Sequence, residues 1–267
     1  MKISDTVLGS SKKTCVWGIL NLTPDSFYDG GKYNEISRAV DATLKMVQDG
    51  ADVIDIGGYS TRPGHSDVSP QVEIERVLPV LQAIRQKSDV LISIDTFRAD
   101  VADIMLYNGA DIVNDVWGLK HDAAMASVVA KHRAIVCIMH NRDNCQYDDI
   151  VQDILRDLQS SIKIALSHGI QSDQIILDPG IGFGKNAEQS LNVMQNLKQL
   201  KSFGYVWMLA ASNKSLFGLV GLDKYQRLEG TIASSVHASA CGFDYVRVHD
   251  VLPNKRALVV ADALYKI

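Results

Sequence analysis

Asp95, Asn114 and Asp178 each close a short apolar run, in L-I-S-I-D, I-V-N and I-I-L-D. Two carboxylates and an amide, with few cations beside them in the chain, suit a neutral ligand edge rich in N–H donors, such as an amino-pyrimidinone. A contrasting set, Arg62, Lys214, Arg247 and His249, follows other apolar runs. Guanidinium forks and an ammonium point charge recognise phosphate or pyrophosphate well. A lone histidine is ordinarily structural, but His249 lies two residues from Arg247, on the same side of an extended segment. The plainer reading stays open for each aspartate taken singly, as a helix cap or an ion-pair partner.

The elements that must position these residues are legible as a repeat. Apolar runs at 14–20, 53–56, 91–94, 112–113, 134–139, 175–177, 206–209 and 245–248 show little polar alternation, which suits strands buried on both faces of a parallel sheet. Their ends read N-L-T-P-D-S-F, D-I-G-G-Y-S-T-R-P-G, D-T-F, N-D-V-W-G, H-N-R, D-P-G-I-G-F-G-K, S-N-K-S and R-V-H-D. Helical patterns lie between, at 35–49, 70–86, 99–108, 122–131, 147–167, 187–203 and 231–241. Gly50, Gly109, Gly169 and Gly242 stand where a helix stops in the left-handed conformation. Three of the junctions even look alike: D-G-A-D-V-I-D, N-G-A-D-I-V-N-D and C-G-F-D-Y-V-R-V. A recurring helix-stop-strand unit without linkers predicts an α/β chain folded as a single (β/α)8 TIM barrel over 1–267, with an open doubly wound sheet as the alternative. All eight strand ends then meet at one face, where ligand sites of this fold are built.

Two long glycine-containing loops, 23–33 and 57–70, read as covers over that face, or else as plain surface connections. The segment G-I-G-F-G-K at 180–185 looks like a phosphate loop but matches neither G-x-G-x-x-G nor G-x-x-x-x-G-K-[ST], so nucleotide binding is rejected.

Charge and composition exclude further classes. With 27 Lys+Arg against 31 Asp+Glu the formal net charge is −4, and neither a nucleic-acid nor an anionic-membrane binder is expected without a basic face. At 46% hydrophobic and 22% charged residues the chain is globular rather than disordered. The longest apolar stretch, 205–211, is too short to span a bilayer, and the N-terminus lacks the apolar core of a signal peptide. Cys15, Cys137, Cys145 and Cys241 form no C-x-x-C pair and read as reduced, buried small hydrophobes of a cytoplasmic protein.

Longer motifs carry a resemblance. G-I-L-N-L-T-P-D-S-F-Y-D-G-G (18–31), D-I-G-G-Y-S-T-R-P-G (55–64), S-I-D-T-F (93–97), L-D-P-G-I-G-F-G-K (177–185) and R-V-H-D-V (247–251) resemble, in order, the signatures of the dihydropteroate synthase family. The resemblance implies a pterin-binding TIM barrel that joins 6-hydroxymethyl-7,8-dihydropterin diphosphate to 4-aminobenzoate. It further implies a homodimer and Mg²⁺. Carried over by position, Thr61, Asp95, Asn114, Met139, Asp178, Phe183 and Lys214 would meet the pterin substrate. Asn21, Arg62, Arg247 and His249 would meet the diphosphate, with Asn21 also reaching the metal. Phe27, Pro63, Lys214 and Ser215 would meet the 4-aminobenzoate, and Asp95, Asp178 and Lys214 would be the catalytic groups.

The implied reaction expels diphosphate before the arylamine attacks, so it needs stabilised charge more than a strong base. Two positions depart from the family pattern: Asn213 stands where S-R-K is usual, and Tyr59 where Glu is common. Restoring Arg at 213 is expected to leave melting unchanged and to raise efficiency. Two other functions compete for the same acidic pocket, a folate-dependent corrinoid methyltransferase and a pterin-binding paralogue without synthase activity. Pyrophosphate release that depends on 4-aminobenzoate separates them.

Overall fold

Val- and Ile-rich runs with no polar face need cover on both sides, and a closed barrel ringed by helices supplies it. The computed structural model describes residues 13–22, 32–59 and 68–266. Among these, eight parallel strands pair in chain order: β1 (Cys15–Asn21), β2 (Val53–Gly57), β3 (Leu91–Asp95), β4 (Ile112–Asp115), β5 (Ile135–Met139), β6 (Ile175–Asp178), β7 (Val206–Leu209) and β8 (Tyr245–Val248). β8 pairs back onto β1, with Trp17 opposite Arg247, so the sheet is closed and the open alternative is excluded.

Several strands run one or two residues further than the apolar pattern. Asn21, Asp95, Asn114 and Asp178 belong to the ladder itself. A ladder is held by backbone groups, so polar side chains can close its end, stacked on the lumen face above Trp17, Leu91, Ile112 and Ile176. The register sets Asn21 beside Gly57, Gly57 beside Asp95, Asp95 beside Asn114, and Met139 beside Asp178.

The helices are α1 (Lys32–Gln48), α2 (Pro70–Arg85), α3 (Ala99–Tyr107), α4 (Met125–His132), α5 (Ile150–Ser167), α6 (Ala187–Gln195), α7 (Leu197–Lys201), α8 (Leu228–Ala240) and α9 (Val251–Tyr265). Two begin later than expected, one behind a turn closed by an aspartate and the other because an aspartate is its cap. Asp122 accepts from Ala124 N at 3.0 Å ahead of α4, and Asp149 accepts from Val151 N at 3.0 Å ahead of α5. The expected helix at 187–203 is broken at Asn196, whose side chain donates to Asn192 O at 2.8 Å. α9 was not anticipated. Its buried face carries Asn254 among Val251, Leu258 and Ala261, which blurs the apolar period, and Asn254 is satisfied by Ser235 Oγ at 2.8 Å.

One core lies between strands and helices. A second fills the barrel lumen with Trp17, Ile112, Cys137, Met208 and Tyr245 among others. The described cysteines are free thiols, and only Cys15 and Cys137, which lie in strands, are buried as expected; Cys145, on a loop, is exposed and Cys241, at a helix end, is partly so. The four expected helix stops all have positive φ, between 83° at Gly242 and 101° at Gly109.

The look-alike junctions have a common function at the N-terminal rim. Asp52 N donates to Val16 O at 2.8 Å, while its Oδ2 accepts from Val16 N at 2.8 Å. Asp111 does the same to Ile92, at 2.9 and 2.8 Å, and Asp244 to Trp207, at 3.0 and 2.9 Å. Each carboxylate also takes a cation from a helix: Lys255, Arg85 and Lys201 respectively. This rim is remote from the mouth and reads as stability.

Candidate functional site

At the C-terminal mouth, β8 sends Arg247 across to the ends of β2 and β3. Its Nε donates to Asp55 Oδ2 at 2.5 Å and its Nη2 to Asp95 Oδ2 at 2.7 Å. Asn114 Nδ2 donates to the same Asp55 oxygen at 3.1 Å. Acceptors and cations, which the sequence set apart, are therefore interleaved. Asp55 was missed by sequence reasoning, although a carboxylate inside an otherwise buried strand already demanded a partner.

The protonation of this cluster follows from its burial. Asp95 is pushed up to about 7 by burial, against the pull of Arg247 and with added repulsion from Asp55. Burial also opposes the charge on Arg247, but Asp55 and Asp95 together hold its pKa above the ordinary value. Asp178 is raised by burial, while the Gly180 N–H, which donates to Oδ1 at 2.7 Å, and the nearby Lys214 favour its ionised form.

Lys214 follows β7 and places Nζ 4.3 Å from the centroid of the Phe183 ring. Ser215 opens a 3-10 turn, Ser215–Val220, with its side chain exposed. His249 lies beside Ser212, whose Oγ is 2.9 Å from Nδ1 and accepts from His249 N at 3.2 Å. Asn213 has φ +57°, and its N–H donates to Thr231 Oγ1 at 3.1 Å while its carbonyl accepts from Arg227 Nη1 at 3.0 Å. The left-handed region suits Asn better than Arg, so the expectation that Arg at this position leaves melting unchanged is revised.

Phe183 is carried on a turn with positive φ at Gly180, Gly182 and Gly184. A side chain at Gly180 would bring its Cβ within 1.9 Å of His140 O. Lys185, which ends the motif rejected as a phosphate loop, is buried. Its Nζ donates to Gly180 O and Phe183 O, each at 3.0 Å, and to His140 Nδ1 at 2.8 Å.

A cavity of about 750 Å³ opens next to Phe183, lined also by Tyr59, Phe97, Trp117, His121 and Asn141. Tyr59 sits edge-on to Phe97 at 5.6 Å, with the Arg98 guanidinium 4.9 Å from its ring centroid. The aromatic residue at this departure is thus part of a wall. Asn21, Asp95, Asn114, Met139, Asp178, Phe183, Lys214, Ser215, Arg247 and His249 all lie at strand ends or on the loops that leave them at this one face. Phe27, Thr61, Arg62 and Pro63, and most of both long loops, lie outside the described residues.

Comparisons with known proteins agree with this geometry. The chain matches the model of a family described as pterin binding enzyme over residues 17–249. It is 47% identical to the dihydropteroate synthase of Clostridium beijerinckii over 270 residues, covering 100% of each chain. The structure of dihydropteroate synthase from Clostridium difficile in the presence of pteroic acid superposes with TM-score 0.94 at 47% identity, covering 98% of this chain and 99% of that one. That of Xanthomonas albilineans with 4-aminobenzoic acid gives 0.90 at 34% identity, covering 96% and 94%.

Proposed function

The chain belongs to the dihydropteroate synthase family, and we propose that the interleaved acceptors and cations of its barrel mouth divide the reacting molecules between them. The enzyme is a transferase of folate biosynthesis: it joins 6-hydroxymethyl-7,8-dihydropterin diphosphate to 4-aminobenzoate, giving 7,8-dihydropteroate and pyrophosphate. Asp95, Asn114 and Asp178 take the N–H and amino donors of the pterin ring, Met139 and Phe183 pack on it, and Lys214 and Thr61 complete its contacts. Arg247, His249, Arg62 and Asn21 take the diphosphate. Lys214 and Ser215, with Phe27 and Pro63, take the arylamine. The relatives that bind pteroic acid and 4-aminobenzoic acid support this division.

The chemistry follows from where charge develops. The bond between the exocyclic methylene and the diphosphate oxygen breaks, and its electron pair leaves with the diphosphate. The cation left behind is delocalised into the pterin. The arylamine nitrogen then attacks the methylene and sheds a proton. Fixed carboxylates at Asp95 and Asp178 favour the cation, and fixed cations favour the leaving group, without reorganisation at the moment of reaction. The observation that carries this reading is Arg247 bridging Asp55 and Asp95, since a cation for the leaving group then abuts the ring acceptors.

Among the described residues no group of three His, Cys, Asp or Glu could hold a metal ion. Mg²⁺ keeps several waters and is commonly bound through substrate phosphates with few protein ligands, so Asn21, whose Oδ1 is a hard neutral oxygen, fits it as an assisting ligand. When bound with the diphosphate, Mg²⁺ would neutralise charge on the leaving group. A homodimer is supported by the outer face of α9, where Val259, Val260 and Leu264 are exposed. Among the described residues no helix is long and apolar enough to cross a membrane, in keeping with the cytoplasmic location we assign. The test of the whole reading is a coupled assay with both substrates and Mg²⁺. Pyrophosphate release must depend on added 4-aminobenzoate, and release without it would overturn the assignment.

A further inference from the structure

We infer that Lys185 is a positioning residue for the pterin pocket: its buried ammonium is a built-in cation that holds the 180–183 turn, and through it Asp178 and Phe183, in the shape that receives the ring. The inference rests on the assignment of that ring to Asp95, Asn114 and Asp178.

An ammonium has three N–H donors and no acceptor. Here each donor has its partner, in Gly180 O, Phe183 O and His140 Nδ1. Because Lys185 only donates, His140 Nδ1 is the unprotonated nitrogen, and Nε2–H faces Asp157 Oδ2 at 3.1 Å. Asp157 is gripped in turn by Arg142 Nε at 2.6 Å. Arg142 lies 4.5 Å from the Tyr147 ring centroid, and Tyr147 Oη donates to Gly184 O at 2.7 Å. The loops that leave β5 and β6 are thereby locked together around Lys185.

The same contacts reach the pocket. The Gly180 carbonyl is held by Lys185, and the N–H of the same residue donates to Asp178 Oδ1 at 2.7 Å. The Phe183 carbonyl is also held by Lys185, its N–H donates to Gly180 O at 3.1 Å, and its ring lies under Lys214 Nζ. A turn with left-handed glycines at 180, 182 and 184 has little stiffness of its own, so its order must come from an outside organiser. A buried charge is costly unless paired. An apolar side chain could fill the space, but it could not gather two carbonyls and an imidazole.

The groups facing Lys185 are Asp178 at the end of β6, Lys214 after β7, and His140, Arg142 and Asp157 from the β5 loop and α5. Burial pushes Lys185 down to about 7, with the like charges of Arg142 and Lys214 against the pull of Asp178. Burial and Lys185 together push His140 down to about 3, so the imidazole stays neutral as the acceptor role requires. Raising pH through neutrality therefore strips the proton from Lys185 and loosens the turn.

The experiment is steady-state kinetics on Lys185→Met, which keeps the stem and removes the charge, with each substrate varied at saturation of the other. The KM for dihydropterin diphosphate is expected to rise by roughly 10- to 100-fold, as for a displaced binding group. The KM for 4-aminobenzoate is expected to stay within about twofold, because its contacts are on other loops, and the alkaline loss of pterin affinity should vanish. His140→Asn, which keeps an acceptor for Lys185, should be mild, while His140→Leu should follow Lys185→Met; this pair decides the matter if Lys185→Met does not fold. A folded Lys185→Met with native pterin KM and pH profile overturns the inference. So does an equal rise in both KM values, or equal losses in the two His140 variants. Asp178→Ala is run alongside: retained pterin affinity there overturns the site assignment itself, a different failure from that of Lys185.

Discussion

Asp55 meets Arg247 with only 2.5 Å between Oδ2 and Nε, and the carboxylate is wholly buried beneath the mouth. Arg247 thus presents its charge from a fixed position, with Nη2 spent on Asp95. Removing one member of a buried pair leaves the other uncompensated. Asp55→Ala is expected to lower stability by about 3 kcal/mol, toward the lower end for such pairs because Asp95 still holds the guanidinium. Melting should fall by roughly 6–12 °C for a chain of this size. Calorimetry that finds an unchanged melting point contradicts the account.

Arg247→Met separates the diphosphate from the ring. Charge-assisted hydrogen bonds contribute roughly 1.5–3 kcal/mol, so the diphosphate-bearing pterin should bind about 10- to 100-fold more weakly. The pterin alcohol, which lacks the diphosphate, should lose much less. Titration calorimetry with both ligands tests this, and equal losses would show that Arg247 has another task.

The raised pKa of Asp95 gives a pH dependence whose sign can be fixed. Its folded value, about 7, lies above that of a free carboxylate. Between about pH 4 and 7 the folded state therefore binds the extra proton, and this group's contribution to stability declines as pH rises through that window. Pterin binding runs the other way, because the ionised carboxylate is the better acceptor for ring N–H groups. Affinity for a dihydropterin should climb from pH 6 toward 7, and Asp95→Asn should flatten the climb. A climb that persists in Asp95→Asn would move this titration elsewhere, whereas the opposite fall assigned to Lys185 should remain in that variant.

Asn213→Arg is a trade. At φ +57° the backbone favours Asn, and an Arg there should cost about 1 kcal/mol, a drop of roughly 2–4 °C in melting. Catalytic efficiency should rise at least modestly as a cation returns beside Lys214. Asn213→Gly should hold or raise the melting point, since Gly takes this conformation without strain. An Arg variant that melts no lower than the native protein removes the conformational explanation.

Residue type and position made part of this molecule readable in advance. Apolar runs and glycine stops announced the barrel, because burial on both faces and a positive φ each demand particular residue types. Asp95, Asn114 and Asp178 were legible because polar residues closing apolar runs need partners. Asp55 and Lys185 were not, since their partners come from strands and loops far along the chain: Arg247 lies 192 residues from Asp55, and His140 lies 45 residues from Lys185. Lys185 was opaque for a further reason. Its motif suggests an outward lysine on a glycine loop, and only the fold turns it inward. α9 escaped because a satisfied Asn254 occupies its buried face.

The aspartates at the N-terminal rim have a consequence for how the barrel comes apart. Asp52 ties β2 to β1, Asp111 ties β4 to β3 and Asp244 ties β8 to β7, each by a closed pair of backbone-linked bonds and a helix cation. At the same level between β5 and β6, Gln174 Nε2 reaches Ala134 O at 3.0 Å. The strands are thus clasped two by two, as four successive quarters of one cylinder. The four junctions between quarters, β2 with β3, β4 with β5, β6 with β7 and β8 with β1, rely on the ladder and on the helices outside. Those four seams are the natural fault lines, along which local opening and solvent exchange of amide hydrogens should begin while each quarter stays intact.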